Sequence, residues 1–323
     1  MMRVGIPAAY PADLFCNCPA GVEFVPVSEQ TEGVVEVDVW IPDPYVTRAI
    51  RTLAHLSGVK LVMCMTAGSE WLSGAVGPEV TVCNARGAHN IATAEWTLSA
   101  MLASLKHFSL YQDIQRSGVW KRRMEAGVEY ARQTGDARRL HPPVLLEELT
   151  GKRVLLVGYG EIGKEIERML APFRVQLTRV ALRERKAQAV HAVKELDSLL
   201  PEAEIVILIL PISETSRGLF GAGQFALMRQ GALLVNAARG AIVDTDALVE
   251  ALQAGKIRAA LDVTDPEPLP EGHPLWSCPN LLLTPHVASL TPEYMRRAVR
   301  VIAEELTRYA NGEPLRNVVQ GGH

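Results

Sequence analysis

The chain has 323 residues, 48% hydrophobic and 21% charged, which is the balance of a soluble globular protein of about two domains. Its formal net charge of −3 leaves no basic excess for nucleic acid. No apolar run approaches the ~18 residues that a membrane helix needs, and the longest, Ile205 to Leu210, suits a buried strand.

The N-terminus, MMRVGIPAAY, lacks the basic-then-apolar pattern of an export signal, so a cytoplasmic protein is expected. The cysteines are Cys16, Cys18, Cys64, Cys83 and Cys278. Cys16 and Cys18 form a C-x-C, but no second Cys/His pair nearby completes a zinc site. No metal and mostly structural, reduced thiols are expected.

In chain order, VEFVPV (22–27) and VKLVMCM (59–65) read as strands, with YVTRAIRTLAHL (45–56) between them at helical spacing. HNIATAEWTLSAMLASLKHF (89–108) reads as a long helix. From 109 to 148 the pattern weakens, and the charged stretch at 121–143, ending in Pro142-Pro143, reads as a surface excursion. From Lys152 strands and helices alternate in the βαβ manner. The strands are RVLLV, VQLTRVAL, EIVILIL, ALLVNAA, RAALDV and NLLLT. The helices between them are EIGKEIERMLAPF, VKELDSLLPEA, AGQFALMRQ and DTDALVEALQAGK, the last with Asp244 as N-cap. A final helix opens at Thr291-Pro292 and ends at Asn311-Gly312. Strands this apolar imply a parallel sheet covered on both faces.

GYGEIG (158–163) follows the first of these strands and opens a helix, which is the context that gives G-x-G-x-x-G its meaning. Gly158 permits the turn, Gly160 lets the backbone approach a pyrophosphate, and Gly163 lets helix and strand pack. Glu161 and Ile162 lie within the same loop, where the helix N-terminus offers its amides. A glycine-rich turn without a ligand is the plainer alternative. An NAD site usually carries an acid about 20 residues on, at the end of the second strand. Here Arg179, Arg183 and Arg185 stand there instead, so the reading leans to NADP(H) over NAD(H), with Arg183 among the cofactor contacts. A solvated charge run that includes Glu184 is the other reading.

Three ionisable residues follow three later strands. They are Arg239 after ALLVNAA, Glu267 in DVTDPEP, and His286 in TPHVAS. In open α/β sheets ligands bind beyond the carboxyl ends of the strands. A histidine titrates where a ketone oxyanion must be protonated, a carboxylate beside it favours the imidazolium, and an arginine offers a planar fork to a carboxylate. Each residue alone would more readily be structural, and only their joint placement points to chemistry.

GYGEIG, PISETSRG (211–218), NAARG, DVTDPEP and TPHVAS, in this order from about residue 60 to the end, resemble the D-isomer-specific 2-hydroxyacid dehydrogenase family. The resemblance implies a Rossmann-type doubly wound parallel sheet for the cofactor domain (101–289). It implies a smaller flavodoxin-like α/β substrate domain built from both chain ends (1–100 with 290–323). By the same resemblance Arg239 binds the substrate carboxylate and carbonyl, His286 is the acid/base and Glu267 its partner. Pro211, Thr215 and Ala238 line the cofactor and Asp262 contacts the nicotinamide amide. The turn MTAGSE (65–70) matches the family's substrate loop, whose amides near Ala67 and Gly68 meet the carboxylate; Glu70 stands where the family often has Asp. The helices at 89–108 and 291–310 would be the hinges of domain closure, and a homodimer formed through the cofactor domain is implied.

The expected activity is therefore hydride transfer between NAD(P)H and a short 2-keto acid such as glyoxylate or hydroxypyruvate. A D-3-phosphoglycerate dehydrogenase is the near alternative. It calls for a basic cluster that Arg48, Arg51 and Lys60 do not obviously form. Formate oxidation fits less well, because Thr284 stands where that branch has glutamine. A dinucleotide-sensing corepressor, binding without turnover, is the alternative from another class.

Overall fold

The computed structural model describes residues 1–15, 18–72, 74–125, 127–128 and 146–319. Most of the charged excursion at 121–143 lies outside the described residues, as do Cys16 and His141.

In chain order the strands of the two main sheets begin with β1 (Met2–Pro7), β2 (Val22–Val27), β3 (Val39–Trp40), β4 (Leu61–Met63) and β5 (Thr81–Cys83). They continue with β6 (Arg153–Val157), β7 (Gln176–Ala181), β8 (Val190–Ala192), β9 (Ile205–Leu208), β10 (Ala232–Asn236), β11 (Ile257–Leu261) and β12 (Leu281–Leu283). The principal helices are α1 (Val46–Leu53), α2 (Asn90–Leu105), α3 (Phe108–Ser117), α4 (Glu161–Leu170), α5 (Ala222–Leu227), α6 (Thr245–Gln253) and α7 (Pro292–Ala310).

The chain divides into two compact units, one of Met1–Asn90 with Leu290–His323 and the other of Ile91–Ser289. The sequence reading sets its first boundary at 100/101, ten residues later. The difference is the first half of α2, whose Ala94 joins Ala100, Met101 and Leu105 in the core of the second unit.

In the first unit five parallel strands run in the order β2-β1-β3-β4-β5. This is the flavodoxin-like order, as expected from the sequence. One face packs Val4, Ile6, Leu61 and Met63 against Tyr294, Ala298, Ile302 and Leu306 of α7. The other packs Trp40, Val62 and Cys64 against Ala49 of α1. The end of the chain thus supplies one of the two helical layers over a sheet made from its beginning. Thr291 caps α7 by accepting the Tyr294 amide at 3.0 Å, and Gly312, at φ 68°, follows its end.

In the second unit seven parallel strands run β8-β7-β6-β9-β10-β11-β12. Counted within the unit this is 3-2-1-4-5-6 with a seventh strand added, the Rossmann order. Residues alternate between two buried faces. Leu155, Val206, Leu234 and Ala259 meet Leu196, Phe225 and Leu248 on one side. Val154, Ile205, Leu233 and Ala260 meet α2 and α4 on the other. With both faces covered, the strands carry no polar alternation. Asp244 caps α6, its Oδ1 accepting the Ala247 amide at 3.1 Å.

Three sequence expectations change. The long helix stops at Leu105, because His107 adopts φ 52° and the Leu105 carbonyl accepts the Glu147 amide at 3.0 Å. A separate helix, α3, follows where no regular element is expected; none of its residues is buried, and Leu110, Tyr111 and Ile114 on one face are half-buried. VKELDSLLPEA forms one α-turn, Leu196–Leu199, between two 3-10 turns, with Pro201 in the second. Among the described residues no helix is long and apolar enough to cross a membrane.

Candidate active site

The glycine loop joins β6 to α4 at the point where the sheet order reverses between β6 and β9. Gly158 sits at φ 111°, and a Cβ there would lie 2.2 Å from the Ile209 carbonyl oxygen. A Cβ on Gly163 would lie 2.4 Å from the Gly158 carbonyl oxygen. These two glycines are required by packing. At Gly160, the exposed N-cap of α4, a Cβ meets nothing within 4 Å. That space opens onto the helix N-terminus, where amides and the dipole favour a pyrophosphate. The cradle therefore fits a dinucleotide.

Of the three arginines grouped at the end of β7, one is withdrawn. Arg179 pairs with Glu167 and lies over the Tyr159 ring, 5.7 Å from its centroid, while the Tyr159 hydroxyl donates to Glu167 at 2.5 Å. The Arg179 hydrogen bond, foremost, holds the Glu167 carboxyl below its usual range. Arg183 and Arg185 are exposed beyond the strand end, and Arg185 Nη1 donates to the Tyr159 carbonyl at 3.1 Å, tying this segment to the glycine loop. After β9, Pro211 and Thr215 are exposed in a turn that Ser216 closes, its hydroxyl donating to the Pro211 carbonyl at 2.8 Å.

Beyond β10, Asn236 shapes the next loop. Its side chain accepts from the Ala238 amide at 3.0 Å and donates to the Arg239 carbonyl at 3.1 Å. Ala238 is buried; Arg239 is half-buried and donates from Nη1 to the Ala238 carbonyl at 2.8 Å. Gly240 has a packing reason, since a Cβ there would lie 1.9 Å from the Thr264 carbonyl oxygen. The Arg239 loop thereby lies against the loop that carries Glu267.

His286 and Glu267 meet directly, Nδ1 to Oε1 at 2.5 Å, with both side chains about half-exposed. The hydrogen bond to Glu267 is the main cause that raises the His286 pKa. Burial opposes it, the charges of Glu267 and Asp262 add to it, and Arg239 works against it. For Glu267 burial is the largest single influence and pushes the carboxyl up. The His286 hydrogen bond and charge, Arg239 and Thr264 together outweigh it, and the net direction is down. The pair therefore favours imidazolium beside carboxylate.

Asp262 does something the sequence reading misses. It is buried, and its Oδ1 accepts from Thr284 Oγ1 at 2.6 Å and from the Val287 amide at 2.9 Å; its Oδ2 accepts from the Ala288 amide at 2.9 Å. Its carbonyl accepts the His286 amide at 2.7 Å. Asp262 thus folds the loop that holds His286 at φ 54°. The signal was an acid directly after a buried strand, facing a Thr-Pro-His turn on the neighbouring strand.

The expected substrate loop lies in the first unit. There the Ala67 amide donates to His89 Nε2 at 3.0 Å and the Gly68 carbonyl accepts from Thr66 Oγ1 at 2.7 Å. A cavity of about 450 Å³ in the same unit, among Pro7, Ser28, Trp40, Arg48 and Thr52, is lined by none of the expected site residues.

Sheet order and glycine loop define a protein with a Rossmann-type dinucleotide-binding domain and a flavodoxin-like domain. A family model described as "D-isomer specific 2-hydroxyacid dehydrogenase, NAD binding domain" matches residues 98–288. Glyoxylate reductase of Aeropyrum pernix is 36% identical over 245 residues, 74% of this chain and 69% of the relative. D-3-phosphoglycerate dehydrogenase of Archaeoglobus fulgidus is 32% identical over 244 residues, 74% of this chain; the match spans only 43% of that relative. The crystal structure of a D-isomer specific 2-hydroxyacid dehydrogenase from Xanthobacter autotrophicus, in complex with NADPH and MES, is similar with a TM-score of 0.76 at 27% identity. That match covers 99% of this chain and 98% of the other. The chain belongs to the D-isomer-specific 2-hydroxyacid dehydrogenase family.

Proposed function

We propose that this protein transfers a hydride between NADP(H) and a short 2-keto acid or D-2-hydroxy acid, with glyoxylate and hydroxypyruvate as the keto acids. The observation that carries the reading is the 2.5 Å His286–Glu267 pair beyond the strand ends of a sheet whose glycine loop fits a dinucleotide. The nicotinamide, when bound, supplies the hydride. Arg239 holds the substrate carboxylate and polarises the carbonyl with its planar fork. His286, protonated beside Glu267, delivers the proton to the oxygen that the hydride leaves charged. Gly158, Gly160 and Gly163 with Glu161 and Ile162 form the pyrophosphate cradle, and Pro211, Thr215 and Ala238 line the cofactor. Asp262 serves the His286 loop with three of its acceptor positions, and one remains for the nicotinamide amide.

NADP(H) is favoured because Arg183 stands exposed beyond β7 where an NAD site would present an acid. The similar Xanthobacter protein binds NADPH. Glyoxylate or hydroxypyruvate is favoured over 3-phosphoglycerate because two of the three cations weighed for a phosphate site are paired with carboxylates, and the third, Arg48, lies over the Tyr45 ring at 5.1 Å. Arg51 pairs with Glu29 at 3.1 Å and Lys60 with Asp38 at 3.0 Å. A cytoplasmic homodimer belongs to the same reading. Phe108, Trp120 and Met124, 61%, 79% and 48% exposed, offer the apolar surface for a partner copy.

The test is a panel of 2-keto acids assayed with NADPH and NADH. Reduction of glyoxylate or hydroxypyruvate with a lower KM for NADPH is expected. Cofactor binding without turnover of any keto acid would overturn the enzymatic reading, and a lower KM for NADH would overturn the cofactor preference.

A further inference from the structure

The turn after β4 is unusually well tied. The Met65 carbonyl accepts the Tyr294 hydroxyl at 2.7 Å, the Thr66 carbonyl the Ala85 amide at 3.1 Å, the Ala67 carbonyl the Asn84 side-chain amide at 2.8 Å, and the Gly68 carbonyl the Thr66 hydroxyl at 2.7 Å. Four successive carbonyl oxygens are thus spent on protein donors. On the amide side, Ala67 donates to His89 Nε2 at 3.0 Å, whereas the Gly68 amide has no acceptor among the described residues. The turn shows its protein the acceptors and keeps a donor in reserve, which is the polarity an anion requires.

His89 is built for this contact. It is 8% exposed, and its ring packs on Tyr294 with centroids 4.4 Å apart at 31°. The Ala88 carbonyl before it accepts from Arg297 Nε at 2.8 Å, so α7 holds both the ring and its backbone. An imidazole nitrogen that accepts an amide hydrogen is unprotonated, with the ring proton on Nδ1. An aliphatic side chain of the same bulk could fill the space but could not take the hydrogen.

We infer that His89 is a positioning residue for the substrate loop: by accepting the Ala67 amide it sets the turn so that the Gly68 amide, rather than that of Ala67, receives the substrate carboxylate. This rests on the 2-keto acid reading and deepens it, because it divides two amides that the family resemblance treats alike. It also assigns a task to a buried histidine outside the three-residue constellation.

The test uses the whole protein with His89→Leu, His89→Asn and His89→Gln. Gln places Oε1 near the position of Nε2, whereas Asn is polar but ends short of Ala67. Losing one hydrogen bond of ordinary strength should raise the KM for the keto acid about fivefold in the Leu and Asn variants. In both, kcat and the KM for NADPH stay near wild type, and Gln restores the keto acid KM. Amide hydrogen exchange without substrate gives a second readout. Ala67 should exchange about tenfold faster in His89→Leu and His89→Asn and stay protected in His89→Gln. If Ala67 is as protected in His89→Asn as in wild type, or if Gln behaves like Leu, the inference is wrong. A fall in kcat with an unchanged keto acid KM would also overturn it. If the wild-type protein reduces no keto acid, the dehydrogenase reading fails, and the exchange measurements still decide whether His89 locks the turn.

Discussion

The chemistry proposed for His286 depends on a carboxylate 2.5 Å away, and the sign of its effect can be measured. Glu267 raises the His286 pKa, so the imidazolium persists to higher pH than an isolated histidine would allow. Reduction needs the protonated form, so the rate should be sustained at low pH and fall as pH rises through the raised pKa. In Glu267→Gln that alkaline limb should move to lower pH, read from kcat/KM for keto acid reduction. An unmoved limb would remove Glu267 from the proton-transfer pair. His286→Ala should lower kcat about 10²–10⁴-fold while dinucleotide affinity, followed by fluorescence titration, stays within about twofold. Of these residues the sequence shows the types and the order, because each follows a strand that can be read. It does not show that Asp262 is engaged by Thr284, Val287 and Ala288, since those partners approach from a neighbouring strand.

At the scale of the element, the glycine loop separates packing from binding. At Gly158 an added methyl meets a backbone carbonyl and φ is 111°, so Gly158→Ala should lower the melting temperature along with cofactor binding. At Gly160 the space is open, so Gly160→Ala should leave the melting temperature within about 2 °C and weaken dinucleotide binding at least about tenfold. Equal losses of stability in the two variants would refute this division. The pattern G-x-G-x-x-G marks the loop in the sequence, yet it treats the three glycines as equivalent; the Ile209 carbonyl just past β9, which crowds Gly158, and the Gly158 carbonyl, which crowds Gly163, set both apart from Gly160. The same holds for Arg179. In the sequence it stands with Arg183 and Arg185, but its position within β7 turns it toward Glu167 on α4.

For the folded chain as a whole, the charged groups at the other ends of the strands are also informative. Glu147, 11% exposed at its side chain, holds Lys152 at 2.8 Å and Arg258 at 3.1 Å, and Arg258 is itself 7% exposed. These residues gather at the amino ends of β6 and β11, away from the candidate site, and fasten the segment that rejoins the sheet before Lys152. Glu147→Gln leaves the buried Arg258 facing a neutral partner, while Lys152 keeps Glu204 at 3.2 Å. It should destabilise the protein by about 3 kcal/mol, measured by urea unfolding, with cofactor affinity unchanged in the folded fraction. A loss below about 0.5 kcal/mol would place this network among pairs of little worth.

The sequence by itself determined the α/β class, the parallel cofactor sheet, the glycine cradle and the three strand-end residues. Hydrophobic runs, glycine spacing and strand ends are local properties, and a local pattern survives in one dimension. It also determined both ends of α7, because Thr291 and Gly312 act on their immediate neighbours. Tertiary structure decided everything that needs two distant segments. The break after Leu105 depends on Glu147, the withdrawal of Arg179 on Glu167, and the task of Asp262 on residues 284–288. The hydrogen bond from Ala67 to His89 crosses 22 positions. Such contacts follow from how strands are ordered and helices layered, and no residue's neighbours in sequence carry that information.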